Sequence, residues 1–145
     1  MSQLLVTSIA GRRVALPTAG ILSVIELGKL ERVPRAPSRI AGLTALRSRV
    51  LTVIDCAQIV DGHPSEYIEG NGLGIVIDVD DHGYALMVDH VEDVTEFFGE
   101  LEEVKADLGG EWTAHALGMA ETEIGPLLVI SPERFVSGAE TAQAA

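Results

Sequence analysis

Short apolar runs separated by turn residues follow one another along the whole chain. Leu4 to Ile9 alternates loosely, Gly11-Arg12-Arg13 makes a turn, and Val14-Ala15-Leu16 answers it, a β-hairpin pattern. Pro17 has no N–H to give to a ladder, which confines that second run to an edge or an end. Ile21 to Leu27 is rich in β-branched residues and predicts a strand. A proline-marked turn, Val33-Pro34-Arg35-Ala36-Pro37, leads to two further apolar runs, Leu43–Leu46 and Val50–Ile54. Only Arg47-Ser48-Arg49 separates them, which predicts another hairpin. Asp55 is placed to cap a helical turn over Cys56–Val60. About five strands within the first sixty residues is the density of a small barrel.

Asp61 to Gly72, rich in breakers, is the best internal boundary. Beyond it Leu73, Ile75, Ile77 and Val79 alternate with more polar positions, Asp81-His82-Gly83 turns, and Tyr84, Leu86 and Val88 return. Val91 and Val94 carry the pattern toward a bend. Thr95 to Glu111 has no clean period and predicts a long connection with a helical turn at Leu101–Val104. Trp112–Ala120 and Ile124–Ile130 flank Glu121-Thr122-Glu123 as a last hairpin. Ser131-Pro132-Glu133 is a helix start, reaching to about Val136. Gly138–Ala145 reads as a frayed tail, and no internal repeat is visible. The pattern as a whole predicts an all-β protein with two five-stranded, SH3-like subdomains on either side of Asp61–Gly72.

The 145 residues fit one domain or two small subdomains sharing a core. A hydrophobic share of 47% supplies that core, but with aromatics at 4% the filling must be Val, Ile, Leu and Ala. A net charge of -12 argues against nucleic acid and anionic membrane as partners. The charge is also uneven: eight of the ten basic residues lie between Arg12 and Arg49, and the remainder is strongly acidic. No apolar stretch approaches the roughly 20 residues that span a bilayer. The N-terminus MSQLLVTSIAG lacks the basic region of a signal peptide, so a cytoplasmic protein is expected, and the single Cys56 fits a reducing compartment.

Candidate chemistry is sparse. His63, His82, His90 and His115 share no ligand spacing, and Cys56 ends an apolar run with no histidine near it, as buried filler would. Asp78, Asp80, Asp81 and Asp89 do not match a calcium loop and read as hairpin caps. Gly70-Asn71-Gly72-Leu73-Gly74 precedes a strand and has no lysine, so it is not a phosphate loop. No enzyme motif, metal site or cofactor site is expected. Arg47-Ser48-Arg49 has two readings: a charged tip that keeps a hairpin from pairing edge to edge, or a cationic contact for a partner.

The order and spacing of these runs resemble the CheW family, the scaffold proteins of bacterial chemosensory arrays. The resemblance covers Leu5 to about Phe135. It rests on Gly11 with Val14–Leu16, Ile21-Leu22-Ser23-Val24-Ile25, Val33-Pro34 with Ala36-Pro37, Gly42 through Arg47, Val50 to Asp55, Tyr84–Val94 and Leu127–Ile130. It implies two intertwined five-stranded barrels sharing a core, forming one CheW-like domain over 1–137 with a tail over 138–145. It further implies a non-enzymatic, cytoplasmic adaptor in chemotaxis signal transduction. The implied partners are the regulatory domain of the CheA histidine kinase, met through an edge or loops of the C-terminal barrel, and the cytoplasmic tip of methyl-accepting chemoreceptors. Two alternatives stay open: a CheW-like adaptor in another two-component pathway, and a small ligand-binding β-barrel.

For the receptor, the resemblance implies an apolar groove between the subdomains, with Ile21, Val24, Val88 and Val91 as candidates, although each is equally suited to the core. Arg47 falls at the arginine of the family's Asn-Leu-Arg-Gly hairpin. It either contacts the receptor or braces its own hairpin against Glu26 or Asp55. Here that hairpin reads Ala45-Leu46-Arg47-Ser48, Leu51-Thr52 replaces a Val-Pro pair, and Ser23 replaces a common acid, which leaves the receptor's identity open.

Overall fold

Residues 3–64 and 72–141 are described in a computed structural model, and among them the chain forms ten strands and three helices. In order these are β1 (Gln3–Ile9), β2 (Arg12–Pro17), β3 (Ile21–Leu27), β4 (Ile40–Leu46), β5 (Arg49–Asp55), α1 (Cys56–Asp61) and β6 (Gly72–Val79). There follow β7 (His82–Val88), β8 (His90–Glu102), α2 (Trp112–His115), β9 (Ala116–Thr122), β10 (Gly125–Ile130) and α3 (Pro132–Thr141). Most of the expected internal loop (65–71) and the last part of the expected tail (142–145) lie outside the described residues.

The strands make two five-stranded sheets, and neither is built from one side of the internal loop. β1-β2-β10-β9-β8 closes into a barrel, while β3-β6-β7-β5-β4 stays an open sheet. The expected second barrel is therefore incomplete. Among the described residues its margins are joined only where Glu31 and Leu43 exchange two backbone hydrogen bonds of 2.8 Å. Each half of the chain lends its first two strands to one sheet and its next three to the other, which is what intertwines them.

The pairing registers reveal a repeat that the sequence hides. Leu5 pairs with Val94 and Thr7 with Val91, as Ile75 pairs with Val24 and Ile77 with Ile21. The parallel pairs Leu128–Val14 and Thr52–Tyr84 correspond in the same way, as do Gly118–Val129 and Gly42–Val53. Gly42 (φ 154) and Gly118 (φ 152) each lie where a Cβ would stand 2.7 Å from a backbone carbonyl, of Glu31 and of Glu102 respectively. The tight turns match too: Ala10-Gly11 and Asp80-Asp81 both have positive φ at the two central positions, as two-residue hairpin turns require.

Helix starts follow the expected caps. The Gln58 N–H donates to the Asp55 carboxylate at 3.1 Å, and the Arg134 N–H to the Ser131 hydroxyl at 3.3 Å, each satisfying an orphan donor of the first turn. Four expectations fail. Thr95 to Glu102 is strand, with Thr95, Phe97 and Leu101 turned inward; Gly99 (φ 72) and a register shift after Phe98 break the period that would have shown it. There is no helical turn at Leu101–Val104. Trp112 opens α2 rather than a strand, because its ring is buried beneath the Arg12 guanidinium 5.2 Å away and His115 Nδ1–H donates to the Glu111 carbonyl at 2.8 Å. The last helix runs to Thr141, past the expected end at Val136 and into the expected tail.

Three apolar cores result. Leu4, Val6, Ala15, Leu127 and Val129 fill the barrel, and Leu27, Leu51, Val53, Val76 and Ala85 fill the open sheet. The largest core lies between the sheets and joins Leu5, Leu16, Ile54, Ile75, Leu86, Leu128 and Ile130 to Ile59 of α1 and Phe135 of α3. Alternation puts successive side chains of each strand into different cores, which ties both sheets to the middle layer.

Candidate functional site

The helices pack chiefly on β5, β6 and β7 and on one another, sealing the inter-sheet core on that side. β3 and β8 each border the same core, through Ile21 and Val91 respectively. Cα partners on neighbouring strands share a face, so Ile21 and Val24 look the same way as Ile77 and Ile75, and Val94 the same way as Leu5. Ile21 and Val91 are half-buried against the inter-sheet core, whereas Val24 is 41% and Val94 45% exposed. This lip carries apolar side chains from both sheets.

Of the residues expected to form a groove, three therefore lie along the lip: Ile21, Val24 and Val91. Val88 does not. At 6% exposure it belongs to the inter-sheet core, because its register with Leu73 turns it inward, and it offers no surface. Sequence reasoning missed Val94, whose place corresponds to that of Val24 in the other half, and Leu22, 54% exposed at the β3 irregularity. The signal for Val94 was its register against β1, which only the paired strands display.

Arg47 sits in the tight turn between β4 and β5, at the opposite end of the strand order from β3. It is exposed, has φ 58, and among the described residues has no hydrogen-bond or ion-pair partner. Neither Glu26 nor Asp55 braces it. The brace belongs to Arg49, already inside β5, whose guanidinium meets the Asp78 carboxylate at 2.6 Å and lies over Gly83. The tip is thus one pinned arginine beside one free one.

The remaining polar groups are dispersed. Asp89 accepts the Gly11 N–H at 2.9 Å and Asp80-Asp81 form the β6–β7 turn, so the four aspartates do not converge. Among the described residues no three His, Cys, Asp or Glu side chains are placed to hold a metal ion. Cys56 is fully buried, and burial, reinforced by the charges of Asp55 and Asp89, raises its thiol well above the usual range. A half-open cavity of about 680 Å³ lies under the β3–β4 connection, lined by Lys29, Arg32, Val33, Ile40, Gln58 and Met87 among others. It brings together two cations, the Asp55 carboxylate and a mixed polar and apolar wall. No helix of the described residues is long and apolar enough to cross a membrane.

Comparisons with known proteins agree with this architecture. The family model described as the CheW-like domain matches residues 3–140. No curated protein sequence matches the chain. The crystal structure of the scaffolding protein TtCheW from Thermoanaerobacter tengcongensis superposes with a TM-score of 0.76 at 20% identity, covering 90% of this chain and 84% of that one. At that identity the likeness is one of fold. The family model spans all ten strands of the two intertwined sheets, and this chain belongs to the CheW-like family.

Proposed function

We propose that the chain is a non-enzymatic scaffold that couples the cytoplasmic tips of chemoreceptors to the regulatory domain of a CheA-type histidine kinase. The observation that carries this reading is the uncovered lip between β3 and β8. Among the described residues the helices pack on β5, β6 and β7 rather than on β3 or β8, and Val24 and Val94 stay exposed there. An amphipathic helix laid along that margin would complete the burial, as helix-in-groove recognition does. Ile21, Val24 and Val91 contact the receptor helix, with Val94 beside them, and the unbraced Arg47 takes a carboxylate or backbone carbonyls of the receptor from the hairpin tip. The kinase side is an edge of the barrel with its loops, held by apolar strand contacts with charges at the rim.

Calorimetric titration tests this with two separate ligands, a receptor tip fragment and a CheA regulatory domain. Both are expected to bind, each without displacing the other, and Val24→Asp is expected to abolish receptor binding alone. Absence of binding to either ligand at high micromolar concentration refutes the coupling role.

A further inference from the structure

The charges around the lip constrain the helix it accepts. β3 (Ile21–Leu27, ILSVIEL) and β8 (His90–Glu102, HVEDVTEFFGELE) carry no lysine or arginine. Alternation puts Glu26 on the same side of β3 as Val24, and Glu96 on the same side of β8 as Val94. Both carboxylates are exposed, and among the described residues neither has an ion-pair partner. Glu92 is different, since the Arg13 guanidinium grips it at 2.7 and 2.9 Å. Exposed Phe98 and Glu100 extend the acidic, apolar row along β8. The lip is therefore an apolar strip bordered by an unpaired carboxylate on each of its two strands, in a chain of net charge -12.

We infer that the helix seated on this lip is amphipathic and cationic-flanked, with lysine or arginine on both sides of its apolar stripe. The inference rests on the proposed receptor groove and adds the charge of its occupant. The basic flanks meet Glu26 on one side and Glu96 on the other. An acidic-flanked helix meets like charge on both strands and is rejected, because like-charge contacts select against wrong partners more strongly than rim pairs reward right ones. Since the pairs are exposed, they act mainly on encounter rate and salt dependence, and the apolar strip supplies the holding contacts.

Three synthetic helical peptides test this, sharing one Leu/Ala stripe at i, i+3, i+4 and i+7 and differing only in flanks of Lys, Gln or Glu. Fluorescence anisotropy at low and high salt reads their affinity for the full chain. The Lys-flanked peptide is expected to bind tightest and to weaken with salt, and the Glu-flanked peptide to bind weakest and to strengthen with salt. The double variant Glu26→Gln/Glu96→Gln is expected to weaken the Lys-flanked peptide by about threefold to tenfold, the range of two exposed ion pairs, without altering the Gln-flanked one. Glu123→Gln, at the distant β9–β10 turn, is the control and changes neither. Equal affinity for the Lys and Gln flanks, or preference for Glu flanks, overturns the inference. If Val24→Asp abolishes binding while flank charge makes no difference, only the charge inference fails. If Val24→Asp changes nothing, the groove itself is wrong.

Discussion

Substituting Arg47 by glycine separates what its backbone costs from what its side chain does. At φ 58 an arginine holds the left-handed conformation, which costs an L-residue about 1–2 kcal/mol, while glycine gives back about 0.5–1 kcal/mol through its freer unfolded chain. No partner is lost, because among the described residues Arg47 has none. Arg47→Gly is therefore expected to stabilise the fold by about 0.5–1 kcal/mol, raising Tm by about 1–4 °C for a chain near this size. Arg47→Ala keeps the strain and is expected to stay within about 0.5 kcal/mol of the parent. Arg49→Ala goes the other way. It removes the 2.6 Å pair with Asp78, whose two side chains are 45% and 43% exposed, at a cost of about 0.2–1 kcal/mol that shrinks with salt. Urea unfolding followed by the fluorescence of Trp112, the single and buried tryptophan, reads all three. In the receptor titration the signs are expected to cross: on the proposed role of Arg47, both its variants should weaken binding by about 1–3 kcal/mol while one of them is more stable than the parent. A fall in the urea midpoint for Arg47→Gly would show that the side chain braces the hairpin after all. Equal receptor affinity for Arg47→Ala and Arg49→Ala would remove the special role of Arg47.

Further outcomes follow from burial and backbone geometry. Val24→Asp is expected to leave Tm nearly unchanged, whereas Val88→Asp, placing a charge in the inter-sheet core, is expected to abolish cooperative unfolding in thermal melts. Gly118→Ala drives a Cβ to 2.7 Å from the Glu102 carbonyl and is expected to cost more than about 2 kcal/mol; Gly11→Ala, with φ 78 but open space, is expected to cost about 1 kcal/mol, so equal costs by urea unfolding would show that the Gly118 contact relaxes freely. The Cys56 thiol is held above its usual value near 9.0, so its protonated form favours the fold at lower pH, and that contribution is lost as pH rises beyond about 9. Stability is expected to fall through that alkaline range in the parent and less so in Cys56→Ala, and Ellman's reagent at pH 8 is expected to react only after unfolding; rapid labelling of the native protein would contradict the burial.

Local structure was legible wherever one residue type has one mechanism. Asp55 and Ser131 announced their helices because a short polar side chain before an apolar run satisfies the first-turn N–H groups, and both hydrogen bonds are present. Strand existence was legible from alternation, but strand partnership was not. β5 pairs with β7 and β10 with β2 in parallel, contacts between distant segments that no local pattern records. β8 escaped because Gly99 and the register shift interrupt its period, and α2 because Trp112 is fixed by Arg12, a residue on β2. The candidate groove residues fared by the same rule. Val24 and Val88 look alike in sequence, and only the neighbouring strand decides that one is on a margin and the other inside.

The hidden repeat explains why the lip exists at all. Two halves of similar strand order exchange their first hairpins, so each sheet contains strands of both halves and the inter-sheet core is jointly owned. β3 and β8 occupy corresponding places, each beside a hairpin strand of the other half, β6 and β1 respectively. Their outward residues therefore meet the same margin of one core: Val24 with Glu26, and Val94 with Glu96. The helices that follow β5 and β10 also correspond, and they pack on β5, β6 and β7 and on one another rather than on β3 or β8. Exchange of hairpins thus places a helix after the last strand of each half and leaves β3 and β8 without helix cover. Closure treats the two halves differently. β8 continues to Glu102 and curls onto β9, whereas the chain beyond β3 reaches β4 only through Glu31 and Leu43. The open sheet keeps a cavity beneath the β3–β4 connection, whereas the barrel side of the lip carries the longer acidic row, so the two corresponding strands of the lip differ chemically.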